Sequence, residues 1–339
     1  MTVYIASRDE TGGILRCSLS EDGQLELLDT TPADRPAYLC RDGDILYALL
    51  REPFQMMSGL STYEIKRDGS LSLTEGLKST HGLYSAHIYA RDGQIWIANY
   101  IDGTVALLRT DRENTPVQDK VVAFSGSGPD PKRQMSSHPH CVVPTPDKRY
   151  LCVNDLGTDR IYVLTPDLKL VSVCELLPGS GPRHLVFSRD GKAAFSSNEM
   201  GSSVSVLEYS NGKLDYIHTV STLPPEYRGT STAAGILLSG DGSRLYVSNR
   251  GHDSVTVFRV DNTNLITEGY IPSFGNSPRE IALAGKFLLC GNELSDNVTV
   301  YSMDNGIPTA PVCELKVKMP WCIIASEEND CPLPCWLRL

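Results

Sequence analysis

Histidine, arginine and glutamate gather at two recurring stations along this chain of 339 residues. One station closes a short apolar run with an asparagine and a variable follower: Asn99-Tyr100, Asn154-Asp155, Asn198-Glu199, Asn249-Arg250 and Asn292-Glu293. The other opens an apolar run and reads Tyr38, His87, His140, Arg183-His184, Ala234-Gly235 and Arg279. Six of the seven histidines (His81, His87, His138, His140, His184 and His252) lie at or near a station, and only His218 sits well away. A single histidine at a strand end is ordinarily a surface or capping residue. Random placement does not collect His, Arg and Glu together, so the set points to a functional polar site.

The chemistry of that mixture is specific. Arginines bind carboxylate or phosphate through two parallel hydrogen bonds. Glu199, flanked by Arg183 and Arg250, is expected to stay ionised and to orient or activate water. His140 is suited to relaying a proton near neutral pH. Three histidines and several carboxylates could also ligate a divalent cation, but no HExxH or comparable spacing is present and nearby arginines repel one. No metal or cofactor is expected. The recurring asparagines are expected to make a repeated structural hydrogen bond, which leaves the follower free to face the site.

These stations need a frame that brings distant segments together, and the repeats supply it. A short alternating cassette recurs seven times, from GGILRCSLSEDG at Gly12 to DNVTVYSMDN at Asp296, at a spacing of roughly 43 to 56 residues. That is the period of one four-stranded blade of a β-propeller. Upstream of six cassettes lies a hairpin with a tight turn, for example AHIYARDGQIWIANY, and the Asp-Gly turns begin at Asp42, Asp92, Asp190 and Asp241. The opening of the first strand and the close of the second lie at one edge of such a hairpin. In a ring of blades that edge borders the central channel, so the two stations line one mouth.

Six hairpins for seven cassettes leave one blade incomplete. VYIAS near Val3 and WCIIAS near Trp321 are expected to complete it by pairing the two ends of the chain, which removes an open sheet edge. The fold class is therefore all-β: a single seven-bladed propeller over residues 1–326, with 327–339 as a tail outside the repeat.

Composition narrows the partners. An apolar content of 41% supports a full core, and the 28 glycines and 21 prolines suit an all-β meander. The net charge of −10 argues against nucleic acid or anionic membrane. No apolar run reaches the roughly 18 residues of a membrane span. The start, MTVYIASRDE, lacks the pattern of a signal peptide, so a cytoplasmic location is expected. The ten cysteines form no CxxC. Cys17, Cys40, Cys152, Cys174, Cys290 and Cys322 fall in strand-like runs as small buried hydrophobes, and a Cys331–Cys335 disulfide is not expected in a reducing compartment.

The segments SSHPHCVVPTPDKRYLCVNDLGTDRIYV, GSGPRHLVFSRDGKAAFSSNEMGSSVSV and AAGILLSGDGSRLYVSNRGHDSVTVF resemble the seven-bladed propeller lactonases. That family includes the propeller-type 6-phosphogluconolactonases and the fungal 3-carboxy-cis,cis-muconate lactonizing enzymes. The resemblance spans nearly the whole chain and is strongest from about Ser136 to Tyr301. It implies a catalytic set of His140, Arg183, Glu199 and Arg250, the four residues the stations had already singled out. Arg279, in SPRE, matches a further arginine of the family. His87, His138, His184, Asp155 and Glu293 join Arg279 as expected substrate contacts. Two departures stand out: Gly235 replaces a residue that is usually acidic, and Glu280 and Glu293 replace neutral polar ones.

The expected activity is hydrolysis of a sugar lactone, 6-phosphoglucono-δ-lactone first among them, by a monomer or weak homo-oligomer. Two alternatives remain open at this stage: a muconate-type lactonizing enzyme or a lactonase for another substrate, and a non-catalytic propeller that serves as an interaction platform.

Overall fold

The computed structural model describes residues 1–55, 57–111 and 115–326. They form seven antiparallel sheets of four strands each, and no helix occurs among the described residues. Blade 2 illustrates the plan: Pro36–Asp42 is followed outward by Ile45–Phe54, Met57–Ile65 and Leu71–Leu83. The corresponding opening strands of blades 3 to 7 are Ser85–Arg91, Pro139–Pro144, Pro182–Phe187, Thr232–Leu238 and Pro278–Ala284. Opening strands touch those of neighbouring blades around the ring, so they border the central channel.

Blade 1 is built from both ends of the chain, as the missing hairpin required. Pro320–Ser326 is its channel-side strand and pairs antiparallel with Thr2–Ser7, with Ile5 opposite Ile323 and Val3 opposite Ala325. Gly13–Leu19 and Leu25–Thr31 complete the sheet. Residues 327–339, read from the sequence as a tail and containing Cys331 and Cys335, lie outside the described residues.

Alternating side chains fill the gaps between blades. Seven hydrophobic clusters are found among the described residues, one at each junction of adjacent blades. The cluster between blades 7 and 1 joins Val3, Ile5 and Ile323 to Leu289, Val298 and Val300. The six cysteines placed in strands by the sequence are all buried. Polar ties reinforce the junctions: the Tyr4 hydroxyl donates to Gly69 O at 2.6 Å and Trp96 Nε1 to Pro166 O at 2.8 Å. The Asp-Gly turns behave as their chemistry requires. At Asp92-Gly93 both residues adopt positive φ, +51° and +72°, the conformation that matches strand twist in a two-residue hairpin.

One irregularity matters most for the site. Every opening strand shifts register against its partner at its channel-mouth end, as between Pro36 and Tyr38, Ser85 and His87, or Pro182 and His184. A bulge leaves a residue unpaired and re-aims its side chain. Five of the seven strands begin with proline (Pro36, Pro139, Pro182, Pro278 and Pro320), a position where the missing N–H costs little. The propeller thus presents one bulged residue per blade, two in blade 6, at the channel-mouth end of its opening strands.

Candidate active site

The bulged residues are Trp321, Ala37, Ala86, His140, Arg183, Ala234 with Gly235, and Arg279, in blade order. All but those of blade 6 line one cavity of about 390 Å³. Its wall is completed by followers from the second strands, including Arg51, Tyr100, Glu199 and Arg250, and by Arg133 from the loop preceding blade 4. The lining carries five arginines against one glutamate, within a chain whose net charge is −10. Burial weakens solvent screening, so this local positive excess favours an anionic ligand.

Glu199 sits at the centre of the charge. Its Oε1 accepts from Arg133 Nη2 at 2.6 Å. Its Oε2 lies 2.9 Å from Arg250 Nη2, 3.5 Å from Arg183 Nε and 4.0 Å from His140 Nε2. The Arg250 and Arg183 contacts are ion pairs whose angles leave both nitrogens without a directed hydrogen bond. Burial alone would raise the carboxyl's pKa, but Arg250, His140, Arg183 and Arg133 outweigh it and hold Glu199 far below the carboxylate range. It is a permanent anion at neutral pH. Burial, then Arg183, push the imidazole of His140 well below its ordinary value despite the opposing pull of Glu199, so His140 is neutral.

One residue further along each opening strand lies a second set: Tyr38, His87, His184 and Glu280 among them. The His87 ring lies 4.4 Å from that of Tyr38 and 5.5 Å from that of His184, which is itself 5.5 Å from His140. His184 Nδ1 meets Arg183 Nη1 at 3.2 Å, and Val142 N–H approaches His87 Nδ1 at 3.5 Å. These two histidines stand behind the cavity wall and buttress it. Burial and Arg183 hold both neutral, His87 with a pKa lowered to about 3. Glu280 is buried with its Oε2 unpartnered, and burial raises its pKa against the pull of Arg183. The position where Gly235 lacks a side chain is filled by that carboxylate: a Cβ built on Gly235 would stand 3.1 Å from Glu280 Oε1.

The structure brings His140, Arg183, Glu199, Arg250 and Arg279 to the cavity wall. His138 lies outside it, its ring stacked on Tyr100 at 4.5 Å and its Nδ1 2.7 Å from Tyr100 O. Glu293 stands behind Arg279 and Trp321, bonded to both. Asp155 does not reach the cavity. The strand register places Asp155 opposite Arg160, just as Asn198 faces Ser203 and Asn249 faces Ser254, so Asp155 occupies the asparagine position and the true follower is Leu156. The Asp155 carboxylate is consumed locally, accepting from Ser137 Oγ and His138 N at 2.6 Å and from Gly157 N at 3.0 Å. The asparagines themselves are structural: Asn198 Nδ2 donates to Ser203 and Ser205, and Asn249 Nδ2 to Ser254 and Thr256.

Besides the small Ala37, Ser85 and Ala86, three charged or aromatic wall residues escaped the sequence reading. Arg51 holds the follower position of blade 2, but Leu50 replaces the signalling asparagine. Trp321 is the bulged residue of the closing strand, recognisable only once the chain ends are paired. Arg133 comes from a non-repeating loop, set by Asp130, which caps the N–H groups of Lys132 and Arg133, and by Gln134, whose Nε2 donates to Leu156 O and Asp159. Among the described residues, no group of three or more His, Cys, Asp or Glu is arranged to hold a metal ion.

A closed seven-bladed ring with this basic, carboxylate-centred cavity at its channel mouth matches one family over residues 2–325, described as Lactonase, 7-bladed beta-propeller. The chain belongs to that family. Its fold is shared by a Bacteroides fragilis protein designated a candidate 6-phosphogluconolactonase, with a TM-score of 0.87 and 30% identity over 95% of this chain and 97% of that one. The Pseudomonas aeruginosa periplasmic gluconolactonase superposes with a TM-score of 0.87 at 26% identity, covering 95% and 98% of the two chains. In sequence, an uncharacterised Staphylococcus epidermidis protein is 33% identical over 318 residues, 89% of this chain and 92% of its own.

Proposed function

We propose that the protein hydrolyses a sugar lactone at this cavity, with 6-phosphoglucono-δ-lactone as the foremost substrate. The observation that carries the reading is the convergence of His140, Arg183, Glu199 and Arg250 on one cavity, with the acid fixed as an anion and the imidazole neutral. An interaction platform would splay such groups over an exposed rim. The family and the gluconolactonase-like neighbours support the same chemistry.

The 4.0 Å between His140 Nε2 and Glu199 Oε2 allows one water to lie within hydrogen-bond reach of both, about 2.6–3.2 Å. Glu199, held by three guanidinium groups, is too weak a base to keep a proton and serves to orient that water. Neutral His140, whose imidazolium the adjacent Glu199 anion would stabilise against burial and Arg183, takes the proton as the water oxygen attacks the lactone carbonyl. Arg183 and Arg250 stabilise the resulting oxyanion, a contribution worth about 10²–10³ in rate where a single such donor is removed. Collapse breaks the ring C–O bond, and the imidazolium returns its proton to the leaving ring oxygen. The product is the open hydroxy acid.

The test is a panel of freshly prepared lactones assayed against their spontaneous rates: 6-phosphoglucono-δ-lactone, glucono-δ-lactone and a carboxylated muconolactone. Acceleration of the phosphorylated substrate above the others is expected. Preference for the carboxylated compound would move the reading to the muconate branch, and spontaneous rates throughout would refute it.

A further inference from the structure

At the reacting end of the cavity Glu199 offsets part of the charge of Arg133, Arg183 and Arg250, and a second arginine cluster lies across the ring. There Trp321 lies among three guanidinium groups: Arg279 at 3.7 Å from the ring centroid, Arg8 at 4.4 Å and Arg51 at 5.0 Å. Glu293 fixes two of the parts, accepting from Trp321 Nε1 at 2.9 Å and from Arg279 Nη1 at 3.3 Å. Glu52 serves Arg8 at 3.0 Å and Arg35 at 3.7 Å. Arg51 makes no close ion pair with either carboxylate. Its Nε is buried without a hydrogen-bond partner, and its guanidinium rests on the faces of Trp321 and Tyr84. Stacking on aromatic rings leaves the in-plane N–H fork of an arginine free for an oxyanion.

We propose that Arg51 and Arg279, on the Trp321 platform, form an anion subsite that holds an oxyanion carried by the substrate remote from the scissile ester. Both arginines and the tryptophan line the cavity that contains Glu199 and His140, so one ligand can reach both ends. The inference rests on the lactonase reading for the other end of that ligand, but the subsite itself is defined by its own residues. Two guanidinium groups stacked on one aromatic plate suit a tetrahedral phosphate ester or a planar carboxylate. They disfavour a neutral sugar, whose hydroxyls would leave the charge of Arg51 uncompensated in a desolvated position. Substrate selection would therefore be made at this end, and bond breaking at the other.

Calorimetric titration of the full chain with inorganic phosphate, and separately with acetate, tests the subsite without any turnover. Wild type is expected to bind at least one of the two anions, and which one it prefers identifies the substrate's oxyanion as phosphate or carboxylate. R51M and R279M should each weaken that binding at least tenfold, whereas R183M should leave it within threefold. R51K provides a variant that keeps the charge and the fold but loses the fork, and it should still weaken binding. Failure of wild type to bind either anion, or loss in R183M with retention in R51M and R51K, would overturn the proposal. Anion binding that depends on Arg51 in a protein that hydrolyses no lactone would reject the lactonase reading alone. Lactone turnover indifferent to R51K would reject the subsite alone.

Discussion

Three neutral histidines packed around Arg183 make the fold sensitive to acid in a calculable way. His87, His140 and His184 are buried, and burial together with Arg183 lowers each pKa, that of His87 to about 3. In the unfolded chain each titrates near pH 6.5. A base whose folded-state pKa is depressed contributes stability above its unfolded pKa and loses it as the pH falls. The loss therefore begins near pH 6.5 and for His87 continues to about pH 3. Glu280 works in the other direction: burial raises its pKa, so the folded protein takes up its proton before the unfolded chain does. The net difference is two to three protons, or about 3–4 kcal/mol of stability per pH unit below pH 6 at ~1.4 kcal/mol per proton. Against a typical total of about 5–15 kcal/mol, one pH unit is a large fraction. Urea unfolding of wild type, H87Q and H184Q at pH 8, 7, 6 and 5.5 provides the assay. Each variant should lower the pH slope by an amount that grows through the range and approaches one proton, ~1.4 kcal/mol per unit, at pH 5.5, whatever it does to absolute stability. A wild-type stability that is flat from pH 7 to 5.5, or slopes identical in all three proteins, would refute the reasoning.

Further expectations follow from single contacts. E199Q leaves Arg133, Arg183 and Arg250 without their common carboxylate and should cost about 3–5 kcal/mol in urea unfolding, the usual penalty for orphaning buried charge. G235A places a methyl group 3.1 Å from Glu280 Oε1, Ile281 Cγ1 and Ile281 N, and should destabilise by about 1–3 kcal/mol through overpacking; an unchanged urea midpoint would show that Glu280 is free to move aside. Deleting residues 2–8 removes the partner of Pro320–Ser326 and opens the ring. Hydrogen exchange should then rise in all seven blades, and protection lost only in blade 1 would count against closure as the source of global stability.

The propeller was legible because its signals are local and repeated. Asp-Gly turns, alternating cassettes and a fixed spacing each announce a blade, and the unpaired strand at either end announces closure. The site was legible where it followed the same repeat, so His140, Arg183, Glu199 and Arg250 fell at matching stations. It was obscured where the repeat was broken. Asp155 took the asparagine position in blade 4, which shifted the reading by one residue. Leu50 hid Arg51, and Arg133 rides a loop with no counterpart in other blades. A string such as Arg183-His184 also conceals its own geometry. Only the bulge shows that Arg183 faces the cavity while His184 stands behind it. Pairing Trp321 with a chain segment more than three hundred residues away is a tertiary fact, and its three arginine neighbours come from three different blades.

The most direct test of the account compares wild type with the R183M/E199Q double variant in the hydrolysis of freshly generated 6-phosphoglucono-δ-lactone at pH 7, with the spontaneous rate subtracted. The account predicts clear acceleration by wild type and a return to the spontaneous rate in the double variant while its near-ultraviolet circular dichroism stays native. Equal acceleration by both proteins would place the chemistry elsewhere and contradict the assignment of this cavity.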